Sequence, residues 1–347
     1  MTRLALFTHP DSLRHDTGGH PERIARMHAI QRVLVEDELI ARYPLRLPTP
    51  ATREEIARVH DAEYVDRVAR MAAQGGGQFD VDTVLSEGSF DAAAAAAGGA
   101  IAAVEAVLAG GAARAFALGR PPGHHARPDT AMGFCLFNNI AIAAQAARDR
   151  YGLRRIAIVD IDVHHGNGTE ESFWEDGGVF FCSLHQYPFY PGSGALNDIG
   201  AGVGRGTTLN VPLPTGCDDA IYTAALDQVV IPALSRFHPE ALLLSIGFDA
   251  HWADPLASMH LSIAGYVGLV DRLAAWADRV CSGRLVLVLE GGYNLEALAY
   301  GTLAVARSLA GMEWGDPLGR SRRFVPMMPV DPLFSALRRV HGLDRPR

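Results

Sequence analysis

Three polar clusters in this sequence each follow a short run of apolar residues, and each carries groups that hold metals or move protons. The first is Asp160-Ile161-Asp162-Val163-His164-His165-Gly166-Asn167. The second is Ser245-Ile246-Gly247-Phe248-Asp249, continuing to Asp254-Pro255, and the third is Glu290-Gly291-Gly292-Tyr293-Asn294. In extended backbone, residues i and i+2 point to the same side, so Asp162 and His164 can reach one ion together. Asp249, from a neighbouring strand end, would complete three ligands with two carboxylates and one imidazole. Three protein ligands with an open position are the pattern of a catalytic metal, whereas a structural zinc is closed by four. The mixed N/O set suits Zn²⁺, with Fe²⁺, Co²⁺ or Mn²⁺ as other occupants. Taken singly, each of these Asp residues would as readily cap a helix or pair with Arg. It is the set, at matching strand ends, that argues for a site.

A fourth cluster, Arg120-Pro121-Pro122-Gly123-His124-His125, precedes a helical pattern. Two adjacent histidines are weak evidence alone, but Asp160 and Asn167 are at hand as partners. A carboxylate beside one imidazole favours its charged form, and a neutral amide orients the other without that pull. Such a pair can divide acid and base duties. His9, His15, His28, His60, His238, His260 and His341 read as surface or structural, and His20 and His185 as packing near the site. His251 is not expected to be a fourth ligand, since the metal needs an open position. Cys135 reads as core, because no base is assigned to it.

The elements that must position these groups alternate. Apolar runs at 156–159, 179–184, 241–246 and 285–289 suit strands buried on both faces of a parallel sheet. Helical patterns fill 139–150, 218–237 and 262–280, the last opening on Ser262 as N-cap. The alternation predicts an α/β fold with a parallel sheet, where ligands bind beyond the C-terminal strand ends. No repeat or linker divides the chain, and the Gly-rich piece 74–78 reads as a loop. Beyond about Glu313 the sequence turns Pro-rich and then Arg-bearing, so a domain over 1–312 and a C-terminal extension over 313–347 are expected. The extension would pack on the domain or meet a partner subunit.

Composition excludes several classes. The 347 residues carry 31 basic and 39 acidic side chains, a net charge of −8, and every basic residue is Arg. No nucleic-acid or anionic-membrane partner is expected from that balance. The four cysteines are widely spaced with no CxxC, which suits reduced thiols in a cytoplasmic protein. The first residues lack a signal-peptide pattern. The Ala/Gly-rich stretch at 92–111 carries Glu105 and reads as a packed helix, not a membrane span.

The segments RPPGHHARPDTAMGFCLFNN (120–139), VDIDVHHGNGT (159–169), SLHQYPFYPGSG (183–194), SIGFDAHWADPLA (245–257) and LEGGYNL (289–295) resemble the zinc-dependent histone deacetylase superfamily, in its bacterial class II-like branch with the amidohydrolases and acetylpolyamine amidohydrolases. TGGHPERI (17–24) and VHDAEYVDRV (59–68) are similar to its N-terminal elements, so the likeness runs from about Leu4 to Leu309. It implies the arginase/deacetylase α/β fold, a single domain around a central parallel sheet of about eight strands. It implies Asp162, His164 and Asp249 as ligands of Zn²⁺, with Fe²⁺ or Co²⁺ as substitutes. His124, paired with Asp160, becomes the base that activates water. His125 becomes the acid for the leaving amine, with Asn167 as partner where the class I branch has Asp. Tyr293 would hydrogen-bond the substrate carbonyl. Gly133 and Phe134 would line an acyl-lysine tunnel, facing Tyr190 where many relatives have Phe, with Asp82 and Leu256 at the rim. Structural K⁺ would use the carbonyls of Asp160, Asp162, His164 and Leu184 with Ser183, and a second ion would lie near Phe173, Asp176 and Val179. The activity implied is removal of acetyl or other acyl groups from lysine, on a peptide or protein. Small acylated amines such as acetylpolyamines, and an acetoin-utilisation role, are alternatives, as is assembly into a homodimer or homotetramer. An arginase-like ureohydrolase and a non-catalytic acyl-lysine reader are the rival classes.

Overall fold

The computed structural model describes residues 2–321 and 329–344. Its strands are β1 (Thr2–Phe7), β2 (Leu45–Arg46), β3 (Gly76–Gln78), β4 (Val84–Ser86), β5 (Ala112–Ala117), β6 (Ile156–Asp160), β7 (Val179–Gln186), β8 (Thr208–Leu213), β9 (Ala241–Ile246) and β10 (Leu285–Leu289). Eight of them form one sheet in the order β2-β1-β5-β10-β9-β6-β7-β8. Every neighbouring pair in it is parallel. All residues of β6, β7, β9 and β10 are buried, because helices cover both faces.

Chain order and sheet order differ in one place that matters. After β8 the chain returns, and β9 and β10 fill the space between β5 and β6. Register then sets the polar strand ends level. Asp160, the last residue of β6, lies opposite Ser183 of β7 and Ser245 of β9. Ser245 in turn lies opposite Val288 of β10, two residues before Glu290.

The helices follow local chemistry. Ser262 caps the helix Ile263–Val280, its hydroxyl accepting the Gly265 N–H at 3.0 Å. The pattern at 218–237 folds as one continuous rod capped by Asp218, with a π turn over Leu226–Val230 just before Pro232. Pro232 has no N–H and its ring crowds the preceding turn, so the ladder widens there. The helix Ser89–Leu108 is long and apolar enough to cross a membrane, but most of it is buried inside the domain. Its small residues allow very close approach: a Cβ on Gly98 would stand 2.1 Å from the Thr49 carbonyl oxygen.

The piece expected as a loop at 74–78 is in part a strand. β3 pairs antiparallel with β4, and a Cβ on Gly76 (φ +106°) would meet the Leu85 carbonyl oxygen at 2.2 Å. Glycine here serves backbone contact, not flexibility.

The C-terminal extension packs on the domain at both described ends. Trp252 donates to the Gly319 carbonyl at 2.8 Å and Ala264 N–H to Asp316 at 3.1 Å. The helix Asp331–Val340 buries Phe334 and Leu337 in the main core, and Arg236 binds the carbonyls of His341 and Gly342. Phe334→Ala is therefore expected to cost about 3 kcal/mol, read as a lowered midpoint in chemical denaturation.

Candidate active site

Asp162, His164 and Asp249 converge beyond the ends of β6 and β9. Their donor atoms lie within 4.8 Å of one another and all three residues are buried. His164 Nδ1 is 3.2 Å from Asp162 Oδ1 and 3.3 Å from Asp249 Oδ2. Backbone donors orient both carboxylates: Asp162 Oδ2 accepts Gly291 N–H at 2.8 Å, and Asp249 Oδ1 accepts Val163 N–H at 2.9 Å. Asp249 Oδ2 is buried with no hydrogen-bond partner. Such an atom is costly unless a cation meets it. Glycines make the room, since a Cβ at Gly247 would stand 1.9 Å from Asp162 Oδ2 and one at Gly291 2.2 Å from Asp249 Oδ2.

Four carboxylates here, Asp160, Asp162, Asp249 and Glu290, are fully buried. Burial and the neighbouring Asp162 push Asp249 up to about 7. Burial opposes the charge on Asp162 too, but His124 and His164 hold it far below the usual carboxylate range. Burial disfavours charge on His164, yet the carboxylates of Asp162 and Asp249 beside it raise it to about 9. Crowded, buried anions of this kind need positive charge, and the N/O donor set fits a divalent ion with open positions. His251 stands apart from this group; its Nδ1 accepts Ala253 N–H and its ring lies against Trp252.

The two histidines of the Pro-Pro-Gly turn lie beside the cluster, their ring centres 4.0 Å apart. His124 Nδ1 is 2.9 Å from Asp160 Oδ2, and His125 Nδ1 is 2.8 Å from Asn167 Oδ1. Asn167 gives its NH₂ to Met132 Sδ, so its oxygen faces His125 and accepts from Nδ1. That leaves His125 Nε2 with a lone pair. Burial works against a charge on His124, but Asp160 and Asp162 carry it up to about 10. Burial and the neighbouring His124 push His125 well below its ordinary value.

A cavity of ≈ 210 Å³ leads to these groups, and Asp82, Gly133, Phe134, Tyr190, Leu256 and Tyr293 line it with His125 and His164. Gly133 and Phe134 both have positive φ, +55° and +69°. A Cβ on Gly133 would lie 2.5 Å from His125 Cδ2, so only glycine lets the wall approach the imidazole. Phe134 meets Tyr293 and His20 edge-on. Tyr190 stands edge-on to His125 at 5.2 Å.

The cavity also has a wall residue that sequence reasoning did not single out. Phe189 stacks on His164 at 5.4 Å. Its position beside Tyr190 was the available signal. Glu290 was noticed only as a strand-end acid; its role is to hold the histidine turn. Its Oε2 accepts Gly123 and His124 N–H at 2.7 and 3.2 Å, and its Oε1 accepts the Ser245 hydroxyl. Arg26 was not foreseen either. Fully buried, it binds the carbonyls of Gly292 and Glu290 and shares Glu22 with Arg120.

The chain resembles known proteins over nearly its whole length. The histone deacetylase domain family matches residues 20–309. A histone deacetylase-like amidohydrolase of Pseudomonas aeruginosa is 41% identical over 324 residues, spanning 92% of this chain and 84% of its own. A probable deacetylase of Archaeoglobus fulgidus is 42% identical over 312 residues, spanning 89% and 86%. The crystal structure of the HDA15 HD domain superposes with a TM-score of 0.84 at 35% identity, over 91% of each chain. Fold and family match together place the chain in the deacetylase class of hydrolases, a single α/β domain around an eight-stranded parallel sheet. The chain belongs to the histone deacetylase family.

Two outcomes follow from this arrangement. Asp249→Ala is expected to lose the divalent ion and all turnover while keeping the fold, read by elemental analysis and circular dichroism. The second concerns His60, which binds the Arg127 carbonyl through Nδ1 and accepts Asn138 N–H on Nε2, spanning the segment that carries the tunnel wall. Burial lowers it from 6.5 to about 4, against the pull of its backbone partners. The unfolded chain therefore binds a proton that the native state refuses, and stability is complete above 6.5 and falls as the pH drops toward 4. Denaturant titrations should show His60 contributing a loss of up to about 1.4 kcal/mol per pH unit in that window, which His60→Gln removes.

Proposed function

We propose that this protein is a divalent-metal-dependent deacylase of acyl-lysine side chains, with Zn²⁺ as the ion at Asp162, His164 and Asp249 and K⁺ as a structural ion. The observation that carries this reading is the cavity. Its aromatic walls suit a neutral acylated lysine stem, and its inner end meets His125, His164 and Tyr293. A bound dication supplies Lewis acidity to the acyl carbonyl and makes a water molecule easier to deprotonate. The Tyr293 hydroxyl, whose pKa burial raises well above the ordinary value, stays protonated and donates to the carbonyl oxygen as negative charge develops.

The imidazoles carry the protons. The carboxylate beside His124 favours its charged form, whereas His125 has only a neutral amide beside it, and burial and the neighbouring His124 favour its neutral ring. On that ground His125 takes the proton from the attacking water and His124 gives one to the amine nitrogen, the reverse of the division implied by the resemblance. Carboxylate and free amine leave, and no covalent enzyme intermediate is needed.

Leu256 favours lysine over polyamine substrates. A polyamine brings a second ammonium into the tunnel, and a leucine there offers no charge to meet it. Asp82, in the same lining, supports a second reading as a small acyl-amine deacetylase. The ureohydrolase reading loses support from Asp254, whose oxygens are bonded to backbone N–H groups instead of facing a second ion.

A turnover panel tests the proposal. Acetyl-lysine and longer acyl-lysine peptides should exceed acetylspermidine and acetylputrescine in kcat/KM, and Tyr293→Phe should keep the ion and lose on the order of 10²–10³ in kcat. A tenfold preference for acetylpolyamines would instead establish the second reading, with Asp82 as the ammonium partner. No turnover of any acyl-amide would leave only the reader.

A further inference from the structure

Asp254 follows the ligand Asp249 by five residues, yet its carboxylate is engaged elsewhere. It is nearly buried, at 7% exposure. Its Oδ2 accepts the N–H of Tyr293 at 2.7 Å and of Asn294 at 3.0 Å, and its Oδ1 accepts the N–H of Leu256 at 3.0 Å. Asn294 returns a bond from its Nδ2 to the Ala253 carbonyl, also at 3.0 Å. Three of these hydrogen bonds stitch the loop after β9 to the loop after β10, and the one to Leu256 holds Asp254 within its own loop. One loop carries Leu256 and the other Tyr293, both in the cavity wall.

The stitching answers a local weakness. Tyr293 follows Gly291-Gly292, and Gly292 has a φ of +113°. Two glycines leave the backbone free to swing, so the phenol is not placed by its own segment. Arg26 holds the Gly292 carbonyl at 2.8 Å, and its guanidinium lies 5.3 Å from the centre of the Tyr293 ring. Arg26 therefore fixes the carbonyl side of this segment and Asp254 the amide side. Asp254 also meets the start of the helix Leu295–Ala310, where a carboxylate is electrostatically favoured.

We propose that Asp254 is a positioning residue that fixes the Tyr293 hydroxyl in register with the Leu256 rim of the tunnel, so that what binds at the rim is felt at the tyrosine. This rests on the reading of Tyr293 as the donor to the substrate carbonyl. The side chain touches neither substrate nor ion; it acts through two backbone segments.

The test is a double-mutant cycle with an independent structural readout. Asp254→Asn places an NH₂ group against backbone donors. It should lower kcat about twentyfold or more, leave KM within about threefold, and leave metal content unchanged. In the Tyr293→Phe background the same change should alter kcat less than about threefold, because the group it positions is gone. Amide hydrogen exchange on the chelator-treated protein should quicken at 293–296 and stay unchanged in β6 and β9. Additive losses in the double variant, or unchanged exchange at 293–296, would overturn the proposal. So would loss of the ion in Asp254→Asn, which would make Asp254 a support for Asp249. Should Tyr293→Phe turn over like the wild type, the reading of Tyr293 fails by itself, and the proposal that depends on it falls too. If Asp254→Asn does not fold, Asn294→Ser keeps a helix cap and removes only the bond to Ala253. A smaller kcat loss, again absent beside Tyr293→Phe, is then expected, and an additive loss refutes the coupling.

Discussion

Asp162 and Asp249 hold two carboxylates side by side where no solvent reaches them. That placement is unfavourable alone, and much of the surrounding structure answers it. Backbone N–H groups of Gly291 and Val163 point at the oxygens, and His164 lies between the carboxylates. Gly247 and Gly291 give up side chains so that the oxygens fit. A divalent ion held by these three residues would turn this arrangement from a liability into a stable centre.

Around that centre the protein uses buried polar bonds as struts. Glu290 ties the histidine turn to β9 and β10, and Arg26 ties the β10 end to the N-terminal loop through Glu22 and Arg120. His165 joins Ser193, next to the aromatic wall, to Glu170, which Asn210 of β8 also binds. Each strut links segments distant in sequence, so each fixes one wall of the site against another. Buried bonds of this kind are rigid, and removing one partner leaves the other buried and unpaired.

The middle of this fold was legible in the sequence for a physical reason. β6, β7, β9 and β10 are covered on both faces, so they read as unbroken apolar runs ending in polar clusters. The other sheet strands lack that signature. β5 is mostly alanine with an arginine inside, β8 carries Asn210 and Pro212, and β2 has two residues. The candidate metal-binding group was readable because i and i+2 spacing is local and strand ends align. Phe189, Glu290 and Arg26 were not given roles, because their partners lie on other elements and only the folded register brings them together. The tail was seen as a change in composition, but Phe334 and Leu337 reach the main core, which composition alone does not reveal.

The return of the chain after β8 also orders events during synthesis. β5 and β6 emerge early, but the strands that separate them, β9 and β10, are made last. Until residues 241–246 are made β6 presents an unpaired edge, and until residue 289 is made β5 does, the kind of surface that recruits other chains. Asp249, the third member of the candidate metal-binding group, arrives only with β9. A chain cut before β9 therefore has neither the closed sheet nor the complete group of Asp162, His164 and Asp249.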